Sequence, residues 1–139
     1  MSIIQTQTTS FKAELYQAVH NLTSDTLYMA LYTGFANLGP DTTVYTATNE
    51  VTGQTGYTAG GVQVTGATVN TQGYTAFVNF NNVVWLNSNL TARCALLYNV
   101  SKSNKSICVI DFGSTKTMTN FTITMPVNSA TTALIRSSN

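Results

Sequence analysis

Residues 90–112 read LTARCALLYNVSKSNKSICVIDF, and this stretch carries the clearest structural signal in the chain. Its first part, Leu90–Asn99, has the period of a strand, in which successive side chains point to opposite faces; one face would carry Ala92, Cys94, Leu96 and Tyr98. The polar segment Ser101–Lys105 follows, and Ser106–Phe112 is again apolar. Two such runs joined by a short polar loop predict an antiparallel β-hairpin.

Similar short runs occur on both sides of this hairpin, about ten residues apart. They predict strands at Thr26–Thr33, Val44–Thr46, Val62–Asn70, Tyr74–Phe80, Val83–Leu86, Asn120–Val127 and Thr132–Arg136. Thr26–Thr33 is apolar on both faces, which indicates a central strand or one at an interface. The apolar period changes phase at Gly66, which predicts a β-bulge. Many short strands without alternating helices predict an all-β fold, an antiparallel β-sandwich or jelly roll.

The chain before these strands predicts one helix and an arm. Ser10–Leu22 has apolar residues at spacings of three and four, so we expect an N-terminal amphipathic helix with Ser10 as its N-cap. Residues 1–9 predict an extended N-terminal arm with Ile3 and Ile4 as its apolar anchors, of a kind that a neighbouring subunit often orders. The remainder, residues 10–139, is expected to form a single β-sandwich domain.

Composition narrows the class of protein. Charged residues make up 8% of the 139 residues and the net charge is +1, so the chain lacks the clustered cations of a nucleic-acid-binding protein. No apolar run approaches the roughly 18 residues of a membrane span, and residues 1–10 do not resemble a secretion signal, so we expect synthesis in a cytoplasm. Cys94 and Cys108 are expected to be reduced and buried, although a pairing across neighbouring strands stays open. Two cysteines cannot complete a zinc site.

Residues that perform chemistry are scarce. His20 is the only histidine, and we interpret it as a cap near the helix end or a buried polar residue. Asp111 is the only acid within an apolar strand, and the sequence holds no recognisable catalytic or metal-binding motif. We therefore expect no enzyme activity, no catalytic residue, no metal and no cofactor. Trp85 is expected in the core.

The aromatic and glycine residues of the first half predict contact surfaces instead. Tyrosine is common at protein interfaces because it buries area and keeps a polar tip. The segment Thr48–Gly61 holds four glycines but no helix follows it, so we interpret it as a contact loop rather than a phosphate cradle. With the arm and the helix face, these features predict a partner interface at Ile3, Ile4, Phe11, Leu15, Tyr28, Tyr32, Tyr45, Tyr57, Gly60 and Gly61.

A pattern over about residues 10–65 also resembles a known family. Its elements are Phe11-Lys12-x-Glu14-Leu15, His20, Asp25, Ala30-Leu31-Tyr32-Thr33, Ala36-x-Leu38, Thr42 to Tyr45, Glu50-Val51-x-Gly53 and Gly56-Tyr57-x-x-Gly60-Gly61. The pattern resembles small virion structural proteins of tailed bacteriophages. Size and strand pattern are most similar to the capsid cement (decoration) proteins of short-tailed phages, such as the jelly-roll cement protein of a Bordetella phage.

The resemblance implies a non-enzymatic protein that binds the outer surface of the assembled head and staples neighbouring capsomers. Its partners would be the major capsid protein of the same phage and a second copy of itself, in a homodimer. It would be made in the host bacterial cytoplasm and be found on the capsid surface of the virion, with no nucleic acid or membrane partner. The alternatives are a tail or fibre component that contacts host-surface glycan or protein, and a lectin-like accessory to an enzyme.

Overall fold

A computed structural model describes residues 2–138; Met1 of the predicted arm and Asn139 of the predicted domain lie outside the described residues. Among the described residues, strands make up 42% and helical residues 8%, the sheets are antiparallel, and there is one α-helix. The predicted all-β class, the antiparallel pairing and the single helix are therefore confirmed.

The elements follow one another in short segments. The strands and the helix α1 are β1 (Thr6–Gln7), α1 (Thr9–Tyr16), β2 (Leu27–Tyr32), β3 (Val62–Val64), β4 (Thr68–Gln72), β5 (Thr75–Asn79), β6 (Val83–Val84), β7 (Asn89–Asn99), β8 (Lys105–Thr119), β9 (Thr122–Ile123) and β10 (Ile135–Ser137). The hairpin predicted from residues 90–112 is confirmed as β7 and β8, joined through a 3-10 turn at Val100–Lys102.

The largest sheet has the order β1-β8-β7-β2-β3. Strand β2 lies between β7 and β3, which confirms that the doubly apolar segment is central. Strand β8 runs beyond the predicted end at Phe112 to Thr119. It does so through an irregularity opposite Arg93, where Gly113 has a φ of +81°, a conformation that glycine adopts without strain.

Two smaller sheets complete the fold, with the orders β10-β5-β4 and β6-β9. The bulge predicted at Gly66 is wrong, because the chain changes sheet there: β3 belongs to the largest sheet and β4 to another. Gly66 has a φ of +75°, and a Cβ on it would lie 2.4 Å from the side chain of Asn81. The exposed Asn81 side chain can rotate away, so it is the positive φ that favours glycine at this corner. Val44–Thr46 forms only an isolated bridge, at Val44, to Lys105.

The last strands are shorter than their sequence pattern predicts. Asn120–Val127 contributes only β9, and the final strand begins at Ile135 instead of Thr132. Backbone atoms in these segments bond to side chains and turns instead. Asn82, for example, accepts the Met125 N–H through Oδ1 at 2.7 Å. Apolar side chains there still reach the core, since Phe121 and Met125 are buried.

Both faces of the largest sheet are covered. The larger core lies between this sheet, α1 and the two small sheets, and it contains Trp85, as expected. A second cluster lies on the opposite face, beneath the loop after β2; its members include Tyr32, Leu38, Leu96 and Tyr98. The loops therefore cover the apolar side chains of this second face, as a layer of helices or strands does in other folds.

The helix is shorter than its apolar periodicity predicts. It ends at Tyr16 instead of Leu22, and Thr8 rather than Ser10 is its N-cap. The termination is local: Ala18 has a φ of +58°, and the Val19 N–H bonds to the Glu14 carbonyl at 3.0 Å. A left-handed residue at this point closes the last turn and directs the chain away from the helix axis.

The N-terminal segment lies on its own domain. Ile4 N–H donates to the Leu38 carbonyl at 3.0 Å, and Leu38 N–H donates to the Ser2 carbonyl at 2.9 Å. Strand β1 then pairs with β8 at Val109 and Cys108. Within the segment predicted as an arm, Thr6–Gln7 is thus the edge strand of the largest sheet, Thr9 already belongs to α1, and Ser2 and Ile4 are held by backbone bonds to Leu38.

Thr8 joins this segment to the core, and its replacement tests the connection. The buried Thr8 Oγ1 accepts the Phe11 N–H at 3.3 Å and the Ser106 hydroxyl at 2.9 Å. We expect Thr8→Ala to lower the free energy of unfolding by about 1–2 kcal/mol, the cost of a lost N-cap, in urea titrations. Thr9→Ala, at an exposed neighbour, is the control. Equal stability of the two variants would contradict the connection.

Candidate functional site

The predicted tyrosines and glycines meet around the carboxylate of Glu50, which belongs to the family pattern but was not predicted as an interface residue. Glu50 is buried, with 6% of its surface exposed. Its Oε1 accepts a hydrogen bond from the Tyr45 hydroxyl at 2.6 Å. Its Oε2 accepts the Tyr57 hydroxyl at 2.5 Å and the Gly60 N–H at 2.7 Å. A buried carboxylate needs such donors, because burial without them is costly.

The cluster is fixed to β2 through its neighbours. The Tyr57 hydroxyl also accepts the Leu31 N–H at 3.0 Å, so one side chain connects the carboxylate with the central strand. Gly61 has a φ of +86°, and a Cβ on it would lie 1.8 Å from the Met29 carbonyl oxygen. Only glycine allows the loop to approach β2 so closely.

Further aromatic contacts surround this core of hydrogen bonds. Tyr45 stacks on Tyr98 with ring centroids 4.8 Å apart, and Tyr28 lies 6.3 Å from Tyr98. Tyr98 donates to the Gly60 carbonyl at 2.6 Å, and Tyr32 donates to the Thr46 carbonyl at 2.6 Å. We name this assembly the Glu50 cluster: Glu50, Tyr28, Tyr32, Tyr45, Tyr57, Tyr98, Gly60 and Gly61.

The cluster is mainly internal, which changes the role of its tyrosines. Tyr32 is fully buried, and Tyr28, Tyr45 and Tyr57 are half-buried. Burial, with the nearby Glu50 charge, raises the pKa of Tyr98 to about 12. The same two causes raise the pKa of Tyr32 further. These hydroxyls are held neutral and are used for internal bonds, so the cluster organises the loops rather than presenting free polar groups.

A second polar cluster lies where the chain leaves the helix. His20, predicted within the helix, lies beyond its end with a buried side chain, and its Nε2 is 2.9 Å from Glu14 Oε1. Asn99 Nδ2 is 2.9 Å from His20 Nδ1 and donates to Asp25 Oδ2 at 2.8 Å. With Nδ1 facing this donor, His20 donates to Glu14 through Nε2. The histidine is thus a buried polar residue that connects the turn to β7.

Asp25 completes that cluster as a charged group. Partial burial opposes its ionisation, but the Asn21 N–H, the Asn99 amide and the Lys102 cation hold the pKa of Asp25 below its usual value. Asp111, an acid within β8, accepts the Gly113 N–H and pairs with Arg93, and these contacts lower its pKa as well. Each carboxylate therefore serves a local structural contact.

The two cysteines lie on opposite faces of the largest sheet. Cys94 belongs to the cluster beneath the loops, and Cys108 belongs to the larger core. Both are free thiols, and burial raises the pKa of each to about 12. The open question of their pairing is settled by this geometry, since side chains on opposite faces point apart.

An exposed apolar groove lies between α1 and the sheet of β4, β5 and β10. Its volume is about 640 Å³. On the helix side it is lined by Leu15, 40% exposed, and Tyr16, 93% exposed; on the strand side it is lined by Val69, 57% exposed. Lys12 and Arg136 are the charged residues of the lining. We name it the α1 groove.

The remaining predicted interface residues lie apart from this groove or beneath it. Phe11 lines the groove but is fully buried. Ile4, 49% exposed, lines a separate pocket beside Leu38 and Pro40, and Ile3 packs against the second cluster. The structure therefore divides the predicted set into the internal Glu50 cluster and two surface sites. Tyr16 was missed because it lies off the apolar stripe of the helix.

Residues 2–138 contain no group of three His, Cys, Asp or Glu side chains that could hold a metal ion. In the same part of the chain, no helix is long and apolar enough to cross a membrane. Comparison with protein-family models gave no matching family, and comparisons with curated proteins and with solved structures gave no match.

The raised tyrosine pKa values predict a loss of stability at high pH. A tyrosine that stays neutral when folded but ionises near pH 10 when unfolded stabilises the fold below pH 10, and this contribution falls as pH rises toward the folded pKa. For the fully buried Tyr32 the slope is up to about 1.4 kcal/mol per pH unit above pH 10. Urea unfolding at several pH values between 10 and 11.5 measures it.

Two variants make this test specific. Tyr32→Phe is expected to reduce the slope of the unfolding free energy against pH by the contribution of one tyrosine, while Tyr45, Tyr57 and Tyr98, whose pKa values are also raised, keep theirs. Tyr74→Phe, at a tyrosine 92% exposed, should leave the slope unchanged. Parallel slopes for the wild type and Tyr32→Phe would contradict the assignment of the effect to Tyr32.

Proposed function

We propose that this protein is a non-enzymatic capsid cement (decoration) protein that binds the outer surface of an assembled phage head and staples neighbouring capsomers. The observation that carries the proposal is the α1 groove, in which Leu15 and Tyr16 stand exposed on a surface with few charges. An exposed aromatic beside an apolar groove is the usual anchor of a protein interface.

The positions of the family pattern support this proposal. The pattern includes Tyr57 and Gly60, which donate hydrogen bonds to Glu50, and Gly61, which lies against Met29 of β2. It also includes His20 and Asp25, which share Asn99 as a partner. These residues hold loops and turns in place. Their presence in the pattern therefore supports a fold shared with the structural proteins that it resembles.

We further infer that the three sheets form a sandwich of the jelly-roll kind. The larger core draws on Met29 of the largest sheet, Val78 of the sheet of β4, β5 and β10, and Ile123 of β9. One apolar layer shared by facing sheets is the arrangement that defines a sandwich.

The physical mechanism is preferential binding to the assembled state. A protein that contacts several capsomers together binds the shell but not the separate subunits, so it shifts the equilibrium toward the shell. Each contact can be weak when several act together. The Glu50 cluster lowers the entropic cost of binding, because its loops are already ordered by Tyr45, Tyr57 and Gly60.

One observation favours the alternative of a tail or fibre component. A pocket of about 540 Å³ lies beside the Glu50 cluster, and its lining includes Phe35, Asn49 and Thr33. Phe35 is 67% exposed, and an aromatic face beside amide and hydroxyl groups suits a sugar ring. Binding of the purified protein to a glycan array that Phe35→Ala abolishes would favour this alternative.

The number of copies per virion tests the proposal directly. Quantitative mass spectrometry of purified particles should give a ratio to the major capsid protein near one to one, as expected for a component of the shell. A handful of copies per particle would contradict the cement proposal and favour the tail component. Absence from purified particles would contradict both.

The number of copies bound to reconstituted heads tests the α1 groove. We expect Tyr16→Ser to reduce the occupancy of undecorated expanded heads at a given protein concentration, with binding about tenfold weaker or more if Tyr16 is an anchor. Because Tyr16 is almost fully exposed, the variant should melt as the wild type does. Leu86→Ser, at an exposed residue outside the groove lining, is the control. Equal occupancy for both variants would contradict the groove as the binding surface.

A further inference from the structure

Strand β4 is an edge strand that nothing in the described part of the chain protects. It pairs with β5 along its whole length, from Thr68 opposite Asn79 to Gln72 opposite Thr75, without irregularity. No strand pairs with its other side, and all five of its residues are exposed. An edge of this kind offers unpaired N–H and C=O groups to another chain.

The other sheet edges within residues 2–138 are each interrupted. Strands β1, β6 and β9 have two residues each, and β3 and β10 have three each. Beyond β1, the free side of β8 bends at Gly113 and bears Asp111 and Lys116. At β10, the Gln7 side chain bonds to the Arg136 carbonyl at 3.1 Å. Short length, bends and charges are how proteins block edge pairing, and β4 has none of these features.

The hairpin geometry determines which backbone N–H and C=O groups of β4 point away from β5. A two-residue turn, Gly73–Tyr74, joins β4 to β5, and Gly73 has a φ of +59°. In such a hairpin the residues flanking the turn exchange hydrogen bonds, and bonded and non-bonded pairs then alternate along the ladder. Gln72, Asn70 and Thr68 therefore bond to β5, and the N–H and C=O groups of Val69 and Thr71 point outward.

This pattern is complementary to itself. If two copies meet antiparallel with a two-fold axis at Asn70, Val69 of each copy lies opposite Thr71 of the other. Both residues direct their free backbone groups across the seam, so each pair exchanges two hydrogen bonds. The facing side chains are β-branched and uncharged, a favourable pairing without like-charge repulsion.

The apolar surface at the same edge would be covered by this pairing. Val69 lies opposite the buried Val78 in the register, and it is one of the exposed apolar side chains at the strand side of the α1 groove. A strand added to β4 would continue the sheet past Val69 and bury part of its side chain. The edge thus offers hydrogen-bonding groups and apolar area in the same place.

We propose that β4 is a homodimer seam at which two copies of this chain join their β10-β5-β4 sheets into one continuous antiparallel sheet. The partner is a second copy because the outward groups of Val69 and Thr71 match each other about a two-fold axis. Such a seam is isologous and closes after two copies. The resemblance to cement proteins implies a homodimer without locating its interface, whereas the seam is argued from the β4 edge alone and could belong to a protein of the head or of the tail.

Analytical ultracentrifugation of the full chain over micromolar concentrations tests the seam. The wild type should sediment as a dimer of a 14.9 kDa chain, dissociating on dilution. Val69→Lys places two cations at the seam, and Thr71→Pro removes an outward N–H while leaving the β5 ladder intact, so each should weaken dimerisation at least about tenfold. Ser114→Lys, on exposed β8, is the matched control and should leave the dimer unchanged.

Hydrogen exchange of the wild type tests the β4 seam and does not depend on whether the variants fold. The amides of Val69 and Thr71 should become protected as protein concentration rises, whereas amides already bonded to β5 should not change in parallel. A monomer at every concentration would overturn the proposal. A dimer that survives both substitutions, or one that forms without added protection at Val69 and Thr71, would overturn it as well. Because head binding is measured with Tyr16→Ser, failure of the seam and failure of the cement proposal are distinguishable.

Discussion

The carboxylate of Glu50 is the interaction on which the cover of the second sheet face depends. A buried carboxylate is tolerated only with donors, and here Tyr45, Tyr57 and the Gly60 N–H supply them. Because Tyr57 also accepts the Leu31 N–H, the loop that carries it is fixed to β2. A protein with 8% charged residues thus uses one charge to order two loops.

The tyrosines of the Glu50 cluster form their hydrogen bonds inside the protein, so we expect partners to bind elsewhere on its surface. Hydroxyls already committed to Glu50 or to backbone carbonyls are poor contact groups, so the exposed apolar residues elsewhere become the better candidates. The α1 groove and the free edge of β4 meet at Val69 but use different chemistry: side-chain burial at Tyr16, backbone pairing at Val69 and Thr71. The proposed partner surface and the proposed dimer seam therefore rely on separate kinds of contact.

Local patterns in the sequence predicted the hairpin of β7 and β8, the central β2 and the buried Trp85, since alternation is set by near neighbours. The role of Glu50 was not predictable, because its partners come from separate parts of an irregular loop region. The helix end was missed for a similar reason: apolar spacing continues to Leu22, but His20 is drawn to Asn99 of β7. The docking of Ile4 on Leu38 likewise needs a distant partner.

A double-mutant cycle on Glu50 and Tyr57 measures how strongly the loops depend on the bond between these two side chains. Glu50→Gln, Tyr57→Phe and the double variant are compared with the wild type by urea unfolding at neutral pH. If the carboxylate and the hydroxyl form one buried, charge-assisted bond, the two losses will overlap and the coupling energy will be about 1–3 kcal/mol. Losses that add within about 0.5 kcal/mol would contradict the central place of this interaction.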